Sequence, residues 1–375
     1  MTEGKKGQIE LTFNWMYVLI AGTVILLFFV GIVVKQKAAS EERLSLDVLR
    51  VMDSIFVGAG VSEKTKNFID MSGLVDYTLY FDCSDGVGHY GLKGTSADSE
   101  NAIDPIFAPA EIQGTQLIVW SLPYKLPFKV IDFLFVSSSN TIYYLFSDDT
   151  DFANDFTNVT QGYNVKYTIT PKYNEIDPGK SFQVRIVDNG GIVVKNKGQV
   201  PTKLKGMDDD KVSAVVFTGS NQVDYYQKEG ALWKKLNFNP VQIISLGGER
   251  DAAKYGAVFS ANDKDYHCNM KKAFLRLKYL NEVYGGKEIS LGNVGGKLGE
   301  MVDYYDVHKE LELTRPDCIG NVKKYDSNLV SLMQTHQLRV SACLLQQSSC
   351  ADLISSAADL KKVNMALGVD CITLY

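Results

Sequence analysis

The chain has 375 residues, 39 Lys and Arg against 44 Asp and Glu, with 45% apolar and 22% charged residues, a balance that excludes a fully disordered chain and a polytopic transporter. Its net charge of −5 leaves no electrostatic footprint for DNA or RNA, because phosphate binding needs concentrated Lys and Arg; nucleic acid is not an expected partner. The length accommodates two or three domains.

From Trp15 to Val34 the sequence reads WMYVLIAGTVILLFFVGIVV, without one charge. A helix over these residues rises about 30 Å, the hydrocarbon thickness of a bilayer. Trp15 and Tyr17 lie at one end, where amphipathic rings favour headgroups, and Lys35 and Lys37 at the other, where ammonium groups snorkel. The lipid bilayer is therefore the first expected partner. The competing readings are a buried core helix, which would rarely stay apolar on every face, and a secretory signal cut near Ala38, Ala39 and Ser40. Orientation draws on opposing signals. Lys5 and Lys6 precede the span while Lys35, Lys37 and Arg43 follow it, a count that favours the large domain inside. All six cysteines, Cys83, Cys268, Cys318, Cys343, Cys350 and Cys371, follow the span, as in a disulfide-bonded external domain. Asn158-Val159-Thr160 is a glycosylation acceptor triplet. On balance a single-pass protein of the cell membrane is expected, with residues 38–375 extracytoplasmic.

Lys5-Lys6-Gly7-Gln8-Ile9-Glu10-Leu11, running directly into the apolar stretch, resembles the class III signal of archaeal type IV pilin-like proteins, in which a short basic leader ends in Gly before Gln and a nearby Glu. The resemblance covers the first 35 or so residues. It implies cleavage between Gly7 and Gln8 by a membrane peptidase, and an apolar segment that holds the protein in the membrane or packs among copies in a filament core. The family's Glu stands at the fifth mature position; here that position is Thr12, and Glu10 is third.

Beyond the span, Leu44, Val48, Leu49, Val51, Met52, Ile55 and Phe56 recur at spacings of three and four, one face of an amphipathic helix. No Gly or Pro separates this stretch from the span, so one long helix, half in lipid and half in water, is predicted, ended by Gly58-Ala59-Gly60. Its apolar stripe should dock on the globular part.

Short β-like runs follow: YTLYF from Tyr77, QLIVW from Gln116, TIYYLF from Thr141, VKYTIT from Val165, FQVRIV from Phe182, GIVVK from Gly191, VSAVVF from Val212, QVDYY from Gln222 and VQIISL from Val241. Asp148 to Phe156 has the pattern of a short helix. Asp188-Asn189-Gly190-Gly191 reads as a hairpin turn, because Asn and Gly tolerate positive φ. A mainly antiparallel or mixed sheet is expected, without regular βαβ alternation. From Glu249 the period becomes helical, with helices over about 264–284, 328–347 and 349–367, the last capped by Ser349 and Gly368. Six cysteines allow fifteen pairings; Cys343 with Cys350, flanking an interhelical turn, is the first expected pair and Cys268 with Cys318 the second.

The fold class is thus α+β: residues 1–62 leader, transmembrane helix and amphipathic extension, 63–248 a β-rich domain, and 249–375 a cysteine-containing helical subdomain. Catalytic motifs are absent: there is no C-x-x-C, H-E-x-x-H, G-x-S-x-G, Walker A or G-x-G-x-x-G. Gly292 to Gly299 looks phosphate-binding, but Leu298 stands where a P-loop needs Ser or Thr. His89, His267 and His308 lack zinc-ligand spacing, and Asp148, Asp149, Asp151 and Asp155 lack the EF-hand order. Asp208-Asp209-Asp210 reads as an exposed acidic turn. No catalytic, cofactor or metal site is assigned. The expected function is that of an anchored surface protein acting by contact, as a structural, filament-associated or adhesion and binding module, with homo-oligomers or filament subunits as candidate partners. The alternative is a membrane-tethered enzyme with its site between the sheet and helical domains.

Overall fold

The computed structural model describes residues 6–61, 66–95, 97–168, 173–287, 289, 293–308, 316–322, 328–369 and 371–375. Helix α1 (Lys6–Val61) is continuous. Its large apolar side chains from Leu19 to Val34 are 38–65% exposed all round, a surface with no partner in the protein and suited to lipid. Among the described residues it is the one helix long and apolar enough to cross a membrane. The helix then changes character. Ser45, Leu49, Met52 and Phe56, at spacings of four, three and four, are buried against the globular part, and Val51, expected on that stripe, is exposed. Polar contacts flank them: Asp53 accepts from the Tyr90 hydroxyl and from Ser99 Oγ (2.9 Å), and the Ser45 and Thr95 hydroxyls bond at 3.0 Å.

The strands are β1 (Lys66–Asp70), β2 (Leu79–Ser84), β3 (Val87–Leu92), β4 (Asp98–Asn101), β5 (Ile106–Phe107), β6 (Glu111–Ile112), β7 (Gln116–Lys125), β8 (Lys129–Ser138) and β9 (Thr141–Ser147). After α2 (Thr150–Val159) come β10 (Asn164–Thr168), β11 (Gln183–Asn189), α3 (Ile192–Lys195), β12 (Val212–Gly219), β13 (Gln222–Glu229), β14 (Leu232–Lys235) and β15 (Val241–Gln242). The remaining helices are α4 (Ala252–Phe259), α5 (Asp263–Gly285), α6 (Gly296–His308), α7 (Pro316–Val322), α8 (Leu329–Leu345) and α9 (Asp352–Leu367). Among the described residues the strands build three sheets ordered β1-β7-β8-β5, β4-β3-β2-β6 and β10-β9-β11-β12-β13-β14, with β15 also on β13.

The β7–β8 hairpin is buried on both faces, which is why its strands are almost continuously apolar. Leu117 and Val119 of β7 and Leu134 and Val136 of β8 face α1. Their alternates, Ile118, Trp120, Leu122, Phe133 and Phe135, face the largest core, which runs on into the C-terminal helices as far as Leu374.

The third sheet is mixed. β10, β9, β11 and β12 are parallel, with β9-α2-β10 a crossover, and β13 and β14 are antiparallel. Asp188-Asn189-Gly190-Gly191 is not a hairpin turn, and the GIVVK run is not a strand. The Asp188 carboxylate accepts from the Gly190, Ile192 and Val193 N–H groups (3.1, 2.9 and 2.9 Å), which starts α3, and burial of Ile192 and Val193 fixes it. The left-handed φ of Gly191 (70°) turns the chain from β11 into that helix instead of back along it.

Helix α4 escapes a period-based reading because it is apolar on nearly every side. Ala252, Ala253, Tyr255, Gly256, Ala257, Val258 and Phe259 are buried, as in a helix enclosed by core. A Cβ on Gly256 would stand 3.1 Å from the Phe107 ring, so the small residue permits that approach. The C-terminal carbonyls of α4 end in a dry interior. Arg185 of β11 meets them: Nε donates to Val258 O (2.9 Å), Nη2 to Ser260 O, and Nη1 to Ala261 O (3.3 Å) and Ser213 Oγ (3.1 Å). Arg185→Met should lower stability by about 3–5 kcal/mol, since it leaves several buried carbonyls unpaired, and Arg185→Lys should restore only part, because an ammonium cannot reproduce the fork. Denaturant unfolding followed by Trp fluorescence checks both.

Candidate functional site

All six cysteines are in disulfides: Cys83–Cys268, Cys318–Cys371 and Cys343–Cys350, the state of an oxidising compartment. The local Cys343–Cys350 pair is as expected. Cys268 pairs with Cys83 and not with Cys318, because α5 presents residues 265, 268, 269 and 272 as one buried stripe toward the β2–β3 turn. Cys318 on α7 lies instead beside Cys371, with Cα atoms 5.9 Å apart. Gly7 and Gln8 fall in the first turns of α1, where side chains are outside the described residues, as is the side chain of His308. Asn158 is exposed near the end of α2, whereas Thr160 of its triplet is buried and its hydroxyl donates to Phe156 O.

The α5 stripe gathers several strongly perturbed ionisable groups. Asp265 accepts from Cys83 N (3.3 Å) and Asn262 Nδ2 (2.8 Å). Burial, and next the Asp82 charge, raise its carboxyl to about 7. One turn on, Asn269 accepts from Ile106 N (3.1 Å) and donates to Asp265 O (3.0 Å). Lys272 is 3% exposed, its Nζ donates to Asp104 O (3.1 Å), and burial lowers it to about 8 against the opposing pull of Asp104. A Cβ on Gly88 would stand 2.9 Å from that Nζ, so Gly88 leaves the room the ammonium occupies. Burial holds His267 down at about 4, and His89 Nδ1 lies 3.5 Å from Asp98 Oδ2. An acid near 7 and an amine near 8 have the properties of proton-transfer groups. The space beside Asp265 and Asn269 is only about 20 Å3, however, which admits a water and not a substrate. Their bonds join α5 to the β2–β3 hairpin at Cys83 and to β5 at Ile106, so their first role is to hold those junctions.

A second region lies at the carboxyl edge of the parallel strands. Between β9 and β11 the following helices leave to opposite sides, with Phe152 and Phe156 of α2 in one core and Ile192 and Val193 of α3 in another, the arrangement at which open α/β sheets form crevices. The predicted acidic cluster divides here. Asp149 caps α2 through Asp151 N and Phe152 N (3.0 and 3.1 Å). Asp155 accepts from Arg250 N (3.0 Å) and the Tyr255 hydroxyl (2.8 Å), and Asp148 stands 3.7 Å from Lys195 Nζ. An adjoining cleft of about 680 Å3 is lined by Asp149, Asp151, Asp155, Arg250 and Lys254 among others. Among the described residues no three His, Cys, Asp or Glu side chains converge as metal ligands would. Asp209 of the other acidic run is engaged by Lys228 Nζ and Gly230 N. Gly296 to Gly299 lies in α6 with Leu298 buried; Gly292 is outside the described residues.

Sequence reasoning passed over Asp265, Lys272 and Arg185. The available signal was a lone charge inside an apolar strand, FQVRIV, and polar residues spaced three and four apart on α5. No protein-family model, curated protein or solved structure matches the chain.

Asp265 makes stability depend on pH. Its carboxyl is raised to about 7 from an ordinary 3.8, so between about pH 4 and pH 7 the folded chain keeps a proton that the unfolded chain has released. Its contribution is therefore fully present below that window, falls as pH rises through it and stays lost above. Asp265→Asn removes this dependence. The difference in Tm between variant and parent should climb in the variant's favour from pH 4 to pH 7 and then level off, as read by calorimetry at a series of pH values.

Proposed function

We propose that the chain is a single-pass, N-terminally anchored protein whose globular part stands in the extracytoplasmic space and acts by contact, as a structural, filament-associated or binding module. The observation that carries this reading is the single helix α1, apolar and exposed through Val34 and docked through Leu49, Met52 and Phe56. The apolar stretch and the stretch docked on the β7–β8 hairpin belong to one continuous helix. The disulfides support the external placement, and with every cysteine paired the thiol-dependent form of the enzyme alternative loses its nucleophile. In the pilin-like reading Gly7–Gln8 is the scissile bond, and mature α1 begins at Gln8. Lateral association of copies through the lipid-facing half follows from the same reading.

Intact mass of the chain from native membranes, with and without alkylation before reduction, tests both parts. The expected result is a mass lacking residues 1–7 and no alkylated thiol. Six alkylated thiols would overturn the external placement, and a full-length mass would overturn the processing.

A further inference from the structure

A cleft of about 870 Å3 opens where the β7–β8 turn, the loop from Ser245 to Asp251 and the end of α9 meet. Its floor is aromatic. Phe128, Tyr284 and Tyr375 form a cluster with ring centroids 4.4, 5.4 and 6.1 Å apart, in which Phe128 is itself buried and Lys297 Nζ stands 5.1 Å from the Tyr284 centroid, and Leu246 and Met365 add apolar wall. Its rim is basic, with Lys125, Lys129, Arg250 and Lys361 lining it against Glu249 and Asp251. In a chain of net charge −5 this is a local reversal of sign. Lys129 pairs with Asp132 (2.9 Å), whereas Lys125, Arg250 and Lys361 have no ion-pair partner among the described residues. The Asp251 carboxyl is occupied, since it accepts from Ser245 Oγ (2.6 Å) and Ala253 N (3.1 Å).

Of the neutral polar side chains of the cleft, Ser245, Asn364 and Tyr124 are occupied, and the Tyr375 hydroxyl is buried without a partner. Ser245 Oγ accepts from Gly247 N (2.9 Å) while donating to Asp251. Asn364 donates to Tyr375 O (2.9 Å) and accepts from Leu374 N (2.7 Å), and the Tyr124 hydroxyl donates to Ile244 O (2.9 Å). A sugar or another many-hydroxyl ligand would find few open partners. What remains open is ring and alkyl surface bordered by unpaired cations. One of those cations is held by backbone. Arg250 has a left-handed φ of 52°, rare for a residue with a side chain, and its N–H is fixed on Asp155 Oδ2 (3.0 Å).

We propose that this cleft binds a small amphipathic anion, an aryl or short alkyl carboxylate or phosphomonoester, with the acid group among Lys125, Arg250 and Lys361 and the apolar body against Tyr284, Tyr375, Leu246 and Met365. The volume lies within the range of small-molecule sites, and an apolar floor with a few charged groups is their usual composition. Charge-assisted hydrogen bonds from Lys and Arg fix the head, and ring stacking fixes the body. The cleft belongs to the globular part, and its chemistry does not rest on where the chain is anchored.

Calorimetric titration of the full chain in phosphatidylcholine nanodiscs, with empty discs as blank, tests this with four probes: 2-naphthyl phosphate, 2-naphthoate, 2-naphthol and inorganic phosphate. The two naphthyl anions should bind, and their ratio says which head group is preferred. Naphthol and inorganic phosphate should each bind about tenfold or more weakly, as each lacks half of the recognised chemistry. The Arg250→Gln/Lys361→Gln variant should keep the parent's Tm and lose about tenfold or more in affinity for both anions. Absence of binding by either naphthyl anion would overturn the proposal. Equal affinity for naphthol would make the cations irrelevant, and equal affinity for inorganic phosphate would make the floor irrelevant. An affinity unchanged in the double variant would place the binding elsewhere.

Discussion

The end of α4 imposes the constraint on which much of the globular part depends. A helix terminus leaves its last carbonyls without intrahelical partners, and α4 ends inside the core, where water cannot take their place. The Arg185 guanidinium supplies the donors, and a cation is also the charge that the negative end of a helix favours. Burial of a guanidinium is costly in itself, and desolvation draws it below its usual value. Its geometry offsets the cost: Arg185 projects from β11 in the middle of the mixed sheet, and its fork reaches three carbonyls of the α4–α5 corner. That corner sets the direction of α5, whose Asp265 and Cys268 then meet the β2–β3 hairpin and whose Asn269 and Lys272 meet Ile106 and Asp104 at the start of β5. One charged side chain thus aligns the mixed sheet, the enclosed helix and a second sheet.

The β7–β8 hairpin carries the arrangement to α1. Because its residues alternate between the α1 face and the C-terminal core, neither face can repack without moving the other, and side-chain period along a strand makes register all-or-none. Docking of α1 on Leu117, Val119, Leu134 and Val136 is therefore continuous with packing around Trp120 and Phe135. The Cys83–Cys268 link, 185 residues apart in sequence, closes the same circuit covalently, and a loop of that length gives a cross-link a large effect on the unfolded chain.

What the sequence made legible were elements whose signal is local. The uncharged run from Trp15 to Val34, the stripe through Leu49, Met52 and Phe56, the α5 and α8 periods and the short Cys343–Cys350 loop all follow from spacing alone. What escaped depends on tertiary surroundings. Asp188 to Gly191 has the composition of a hairpin turn, but a buried carboxylate aimed at three N–H groups makes it a helix start. α4 has no polar face to reveal its period, since core surrounds it. The partners of Cys83 and Cys318 come from distant segments, which no spacing rule reaches. The α5 stripe occupies an intermediate position: its spacing was visible, but only the β2–β3 hairpin shows that polar residues there are buried.

Several buried ionisable groups are bound up in the fold itself. Asp188, Arg185, Asp265, Lys272 and Asp251 are withdrawn from bulk water, and each is engaged with backbone N–H or carbonyl groups of the fold. A group whose bonds hold two elements together cannot be released for catalysis without loosening the junction it makes. The cations free of such duties, Lys125, Arg250 and Lys361, stand at a cleft mouth over aromatic rings. Arg250 and Asp251 line the same cleft, so a carboxylate committed to the fold stands beside a cation that is not.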